Sequence, residues 1–149
     1  MGETNFHTAV AYLKYACIFG ALFCFVSILS GGFDPWHSLD ALVWRDLYGS
    51  EELPAEAKPA FRLIFMMFAW LSVIAMCMMF MITKYAIIKK EKWAFVAVAL
   101  QVILWPAGAC AITLYTGAYH YFISVGAITF MLLPPLLMLY PYFRNKETR

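Results

Sequence analysis

Residues 93–143 decide the fold: they read WAFVAVALQVILWPAGACAITLYTGAYHYFISVGAITFMLLPPLLMLYPYF and contain no Asp, Glu, Lys or Arg. Charged residues make up about 25% of a typical soluble domain, so this stretch cannot form the surface of one. A helix needs about 20 apolar residues to cross a bilayer, and the stretch is long enough for two such helices. It therefore predicts membrane-spanning helices over residues 93–115 and 121–140.

Two further apolar runs lie upstream, over residues 10–30 and 63–83. The first contains one charged residue, Lys14, and the second contains none. Across all 149 residues, 64% are hydrophobic and 13% are charged, which is more apolar than a soluble fold of this size can bury. The sequence therefore predicts an all-α integral membrane protein with a single domain over residues 1–149. That domain is a bundle of four transmembrane helices, and its environment is the lipid bilayer.

Charge is distributed unevenly among the segments between these runs. The loop over residues 31–62 carries Asp34, Asp40, Asp46, Glu51, Glu52 and Glu56 against Arg45, Lys58 and Arg62. The segment after the second run carries Lys84, Lys89, Lys90 and Lys92, and the tail carries Arg144, Lys146 and Arg149. Because Lys and Arg concentrate in cytoplasmic loops, the pattern predicts a multi-pass protein of the cell membrane with both termini in the cytoplasm. The net charge of +2 gives no reason to expect a nucleic-acid partner.

The first loop, which this orientation places outside the cytoplasm, has a helical pattern of its own. Asp34 followed by Pro35 is typical of a helix start. Downstream apolar residues then recur at intervals of three and four, which predicts a short amphipathic helix. Its expected buried stripe comprises Trp36, Leu39, Val43 and Leu47, and Trp44 is expected on its flank. Such a helix would either cap the bundle or form a docking surface for a partner.

Small residues mark the faces on which membrane helices pack. Ala16, Gly20 and Cys24 recur every four residues in the first span, and residues 107–111 of the third span are Ala, Gly, Ala, Cys and Ala. Membrane helices associate through such faces because lipid is as apolar as their larger side chains. We interpret both faces as ordinary packing surfaces within the bundle. Dimerisation through one of them is the alternative.

A cleft near the proline of the third span is one candidate ligand site. Pro106 frees the carbonyl of Val102 from its helical hydrogen bond, and Gln101 lies close enough to compensate. Breaks of this kind can mark a binding site or can be simple kinks. The binding hypothesis places an apolar ligand, a lipid or a quinone, between helices. Its lining would comprise Gln101, Trp105, Pro106 and, from the fourth span, Ser124.

A metal site at the outer face is a second candidate. The predicted topology places His37 and His120 on the same side of the membrane, with Asp34 as the first of several neighbouring carboxylates. Two histidines and a carboxylate can bind a metal ion. The alternative is that these are exposed loop residues unrelated to one another. No cofactor is indicated, because haem ligation would require histidines inside the spans and none occurs there.

The spans carry no charge beyond Lys14 and Lys84 near their ends, which disfavours a proton-coupled transporter or a pump. The leading interpretation is a small accessory, scaffold or partner-binding membrane protein, forming a homo-oligomer or joining a larger membrane complex. The alternative is a binder or carrier of an apolar ligand in an inter-helix cleft. An enzyme with an outer-face metal site is the third and least favoured interpretation.

Overall fold

The computed structural model describes residues 3–31 and 38–144, apart from the side chains of residues 124 and 125, and in this part every regular element is a helix. The helices in chain order are α1 (Glu3–Ser30), α2 (Ser38–Tyr48), α3 (Lys58–Ile82), α4 (Lys92–Thr116) and α5 (Tyr119–Arg144). Helix α3 continues directly into a π-helical turn over Thr83–Ile87.

Four of the described helices are long and apolar enough to cross a membrane: α1, α3 with its π-helical turn, α4 and α5. The prediction of an all-α chain with four such helices is confirmed. Each helix runs beyond the apolar segment that predicted it; α1, for example, begins at Glu3 rather than at residue 10. The difference arises because the predicted bounds followed side-chain polarity, whereas helical backbone hydrogen bonding continues through the polar residues at either end.

Helix α1 lies at the centre of the bundle and packs against both α3 and α5. Helix α5 also packs against α4, whereas α3 and α4 make few contacts with each other. The small-residue face of α1 permits close packing: a Cβ atom added at Gly20 would lie 3.2 Å from Sδ of Met76. Consistent with this, Ala16, Cys17 and Cys24 are buried. The helices are therefore arranged in the order α3, α1, α5, α4, with an open side between α3 and α4.

The start of α1, the segment between α3 and α4, and the end of α5 meet at one end of the bundle, which we call the connector end. There Nζ of Lys90 lies 3.8 Å from the Glu3 carboxylate and 5.0 Å from the ring centroid of Phe6. The Phe6 ring in turn lies 6.4 Å from that of Phe143. These contacts place the first and last described turns of the bundle beside the lysine-rich connector.

Helix α2 packs on α5 at the opposite end, which we call the α2 end. Val43 and Trp44 are buried there, and with Leu53 they form a small cluster against Phe61 and Tyr121. The buried face of α2 matches the expected stripe only in part: Val43 is buried and Leu39 is half-buried, but Leu47 is 39% exposed. Trp44, expected on the flank, is 7% exposed, and Trp36 lies outside the described residues. Apolar spacing along α2 alone does not determine the buried face, because that face also depends on the aromatic rings of α3 and α5.

Candidate ligand-binding cleft

A cavity of about 270 Å³ separates the α2-side halves of α3 and α4. All four long helices contribute to its wall. The lining is rich in aromatic side chains, which are Phe23, Phe61, Phe65, Phe68, Trp105 and Tyr121. Ligand sites are typically concave and mainly apolar with a few polar groups, and this cavity has that composition. We call it the α3–α4 cleft.

The α3–α4 cleft continues sideways towards the outer surface of the bundle. An adjoining space of about 310 Å³ shares Phe68, Ser72 and Trp105 with it. At the margin of that space the side chains are turned outward, and Leu71 is 60% exposed. Gly108 also lines it, and a Cβ atom added at Gly108 would meet no described atom within 4 Å. The cleft is therefore open on the lateral face of the bundle, the face that lipid would contact in a membrane.

Helix α2 covers the other end of the cleft. A space of about 350 Å³ beneath α2 is bounded by Trp44 and Tyr48 and shares Phe61 and Tyr121 with the cleft. The rings of Trp44 and Phe61 meet edge to face, with centroids 4.3 Å apart and planes at 90°. Edge-to-face pairs of this kind are a favoured aromatic geometry. The α2 helix thus forms a roof that is attached to the cleft through an aromatic contact.

An acidic side chain fixes this roof to the start of α5. The backbone N–H of His120 donates to Oδ2 of Asp46 at 2.9 Å, and Nδ1 of the same histidine lies 2.8 Å from that oxygen. The backbone hydrogen bond, with help from the imidazole, holds the pKa of the Asp46 carboxyl below its ordinary value. Because an ionised carboxylate can only accept hydrogen bonds, the proton of the imidazole lies on Nδ1. A carboxylate at a helix N-terminus is also favoured by the helix dipole.

Hydroxyl groups of the bundle mostly bond to their own helix, and Ser27 departs from this pattern. Oγ of Ser72 donates to the Phe68 carbonyl at 2.9 Å, and Oγ1 of Thr83 donates to the Met79 carbonyl at 2.7 Å. Ser27 is 3% exposed and lines the cleft. No described residue forms a hydrogen bond with its Oγ. Thr113 has a similarly unpartnered hydroxyl among the described residues, but it lies outside the cleft wall.

The structure does not bring the described residues of the predicted ligand site together in one cavity. Trp105 lines the cleft. Gln101 instead borders a void of about 10 Å³ beside Met76, a space that holds one water molecule at most. Pro106 is half-buried in a continuous α4 and does not line the cleft. The Ser124 side chain lies outside the described part of the structure.

The predicted metal site is described in part. Asp34 and His37 lie outside the described residues, and the structure places His120 against Asp46 rather than against another histidine. An imidazole held through Nδ1 by a carboxylate commonly presents Nε2 to a metal ion, so the arrangement is compatible with a ligand role. Within residues 3–31 and 38–144, no group of three His, Cys, Asp or Glu side chains could hold a metal. The metal site stays a prediction.

Sequence reasoning missed Ser27 and the phenylalanines of α3 as parts of a site. Ser27 continues the small-residue face that Ala16, Gly20 and Cys24 begin, and this periodicity was a usable signal that it faces the interior. Nothing comparable distinguishes Phe61 or Phe68 from the outward-facing aromatic residues around them, because the separation of α3 from α4 is a tertiary feature.

The chain matches no family model, no curated protein and no solved structure.

Proposed function

We propose that this protein is a multi-pass protein of the cell membrane that binds an apolar ligand, a lipid or a quinone, in the α3–α4 cleft. The observation that carries the proposal is the separation of α3 from α4 around an aromatic cavity that opens sideways. Neighbouring membrane helices ordinarily pack closely through small residues. Here α3 and α4 are joined by a short connector, yet they diverge towards the α2 end.

The distribution of charge supports an orientation with both termini in the cytoplasm. The lysines of the connector lie at the same end of the bundle as Glu3 and Arg144. The described acidic residues of the first loop, among them Asp40, Asp46 and Glu52, lie at the α2 end. Because Lys and Arg are retained on the cytoplasmic side, the connector end is assigned to the cytoplasm and α2 to the outer face. In this orientation the cleft lies in the outer half of the bilayer.

Lipid analysis of two matched variants tests the proposal. Ala69 is 8% exposed and lines the cleft, so Ala69→Phe would fill the cavity. Ala111 is exposed on α4 and does not line the cleft, so Ala111→Phe makes the same change on an outward surface. Protein purified in mild detergent would be extracted, and its bound neutral lipids measured by mass spectrometry. We expect Ala69→Phe to lower the retained lipid about tenfold, because overpacking the site costs about 1–3 kcal/mol. Ala111→Phe should retain the wild-type amount.

A transmembrane helix of a partner is a second candidate occupant, and it corresponds to an accessory or scaffold function. The observation that favours it is the open surface at Gly108, because small residues allow two helix backbones to approach closely. The same experiment separates the two candidates. Equal lipid content in all three proteins would contradict the ligand proposal. A co-purifying membrane protein lost from Ala69→Phe alone would support the partner function instead.

A further inference from the structure

We propose that Ser27 is the polar anchor of the cleft and that the ligand is an uncharged amphiphile with a single hydroxyl or carbonyl oxygen at one end. The inference rests on the proposed ligand-binding function and names the chemistry of the ligand. Ser27 is 3% exposed and lines the cleft, and its hydroxyl has no hydrogen-bond partner among the described residues.

An unpartnered hydroxyl at this depth is unfavourable, because a buried donor loses its hydrogen bonds to water without replacing them. Serine in a membrane helix ordinarily avoids this by bonding to the carbonyl four residues earlier. Ser72, across the same cleft, does so through the Phe68 carbonyl. The backbone carbonyl of Ser27 already accepts hydrogen bonds from the Ser30 hydroxyl and from the N–H of Gly31, so it does not need a ligand as a partner. The side-chain hydroxyl of Ser27 is therefore the polar group of this residue that a ligand can satisfy.

The lining of the cleft determines the charge of the ligand. No carboxylate, ammonium, guanidinium or imidazole of the described residues borders the cavity around Ser27. A charged headgroup there would be buried without a counter-charge, which is strongly unfavourable. A neutral hydroxyl or carbonyl oxygen needs one hydrogen bond, and Ser27 supplies it. Phosphate and carboxylate headgroups are excluded from the cavity by the same argument.

The position of Ser27 also orients the ligand. Ser27 lies in the last turn of α1 and lines the cleft together with Phe61, the ring that contacts Trp44 of the α2 roof. Phe68 and Trp105 lie further from that end, where the cleft joins the lateral opening. The polar oxygen of the ligand therefore sits beneath α2, and its apolar chain runs past these two rings towards the side opening.

A pair of matched photoreactive probes tests the anchor. The probes are hexadecanol and hexadecane, each carrying a diazirine at the same mid-chain carbon, added to full-length protein in phosphatidylcholine nanodiscs. Wild-type protein should be labelled by the alcohol about two- to tenfold more than by the alkane, the range expected for one net hydrogen bond. Ser27→Ala should abolish this preference while the alkane still labels. Thr113→Ala is the matched control and should keep the preference, because its hydroxyl is likewise buried and unpartnered among the described residues but lies outside the cleft wall.

The outcomes separate the anchor from the function on which it rests. Labelling of α3 and α4 peptides by both probes equally in wild-type protein would overturn the anchor and leave an apolar site. Retention of the preference in Ser27→Ala would also overturn it. An absence of cleft labelling with either probe would contradict the ligand-binding function itself. As a second measurement, ligand-free Ser27→Ala should unfold at a higher temperature than wild-type protein, because it removes an unsatisfied hydroxyl. A lower temperature would show that the hydroxyl is satisfied within the fold.

Discussion

Asp46 shows how one side chain can join two elements that are distant in sequence. Its Oδ2 accepts the backbone N–H of His120 and lies 2.8 Å from the ring Nδ1, across 74 positions of the chain. The contact satisfies an amide at the start of α5 that has no partner within its own helix. It also attaches α2 to the start of α5. The charge of Asp46 is therefore part of the attachment of the roof.

This attachment predicts a dependence of stability on pH. The pKa of Asp46 is lowered in the folded protein, so its contribution to stability is fully present above its unfolded pKa, about 3.9. That contribution is lost as the pH falls below this value and through the lowered folded pKa. We expect the difference in melting temperature between wild type and Asp46→Asn to be constant near neutrality and to shrink below about pH 4. Thermal unfolding in detergent measures it, and a difference that persists unchanged at pH 3 would contradict the argument.

Helix α2 is the element whose removal would change the cleft most directly. Trp44 connects it to α3 through the edge-to-face pair with Phe61. Replacing a buried aromatic residue with alanine typically costs about 3–5 kcal/mol. Trp44→Ala should therefore detach α2 and raise amide hydrogen exchange over residues 38–48. Trp70→Ala is the control, since Trp70 is 52% exposed on α3. Unchanged exchange in Trp44→Ala would show that α2 is held by other contacts.

The face that α2 presents illustrates what a local pattern can predict. The spacing of Leu39, Val43 and Leu47 follows a helical repeat, but a helix of 11 residues offers several overlapping stripes of this kind. Which stripe is buried depends on the partner surface, and here Phe61 and Tyr121 select Val43 and Trp44. The position of Asp46 against His120 likewise depends on tertiary contacts that no spacing along α2 encodes.

For the whole molecule, the long apolar helices were predictable and the cleft was not. In lipid, an uncharged run such as residues 63–83 satisfies its backbone hydrogen-bonding groups by forming one long helix. The arrangement of the helices around the cleft is harder to predict from the sequence, because residues that face lipid and residues that face a cavity are equally apolar. Trp105 was assigned to an inter-helix site through its neighbour Pro106, whereas Phe68 had no polar or conformational signal beside it.

The charge pattern predicts how the whole molecule is oriented in the membrane. Cysteine would be introduced at Lys89 or Glu52, both exposed, after replacement of Cys17, Cys24, Cys77 and Cys110. A membrane-impermeant thiol reagent applied to intact cells should label position 52. Position 89 should react only after the cells are permeabilised, because lysine-rich segments stay in the cytoplasm. The opposite labelling pattern would reverse the proposed topology.

In the proposed function, the sideways opening between α3 and α4 determines how quickly ligand is exchanged. An oily molecule is nearly absent from water, so a site entered from water would be filled only by rare encounters with dissolved ligand. A site entered from the plane of the bilayer would meet its ligand at the mole fraction that the ligand has among the surrounding lipids. Because Phe68 and Trp105 line a path to that lateral opening, the proposed ligand would enter and leave without passing through water. Exchange would then follow changes in membrane composition at the pace of lateral diffusion in the bilayer.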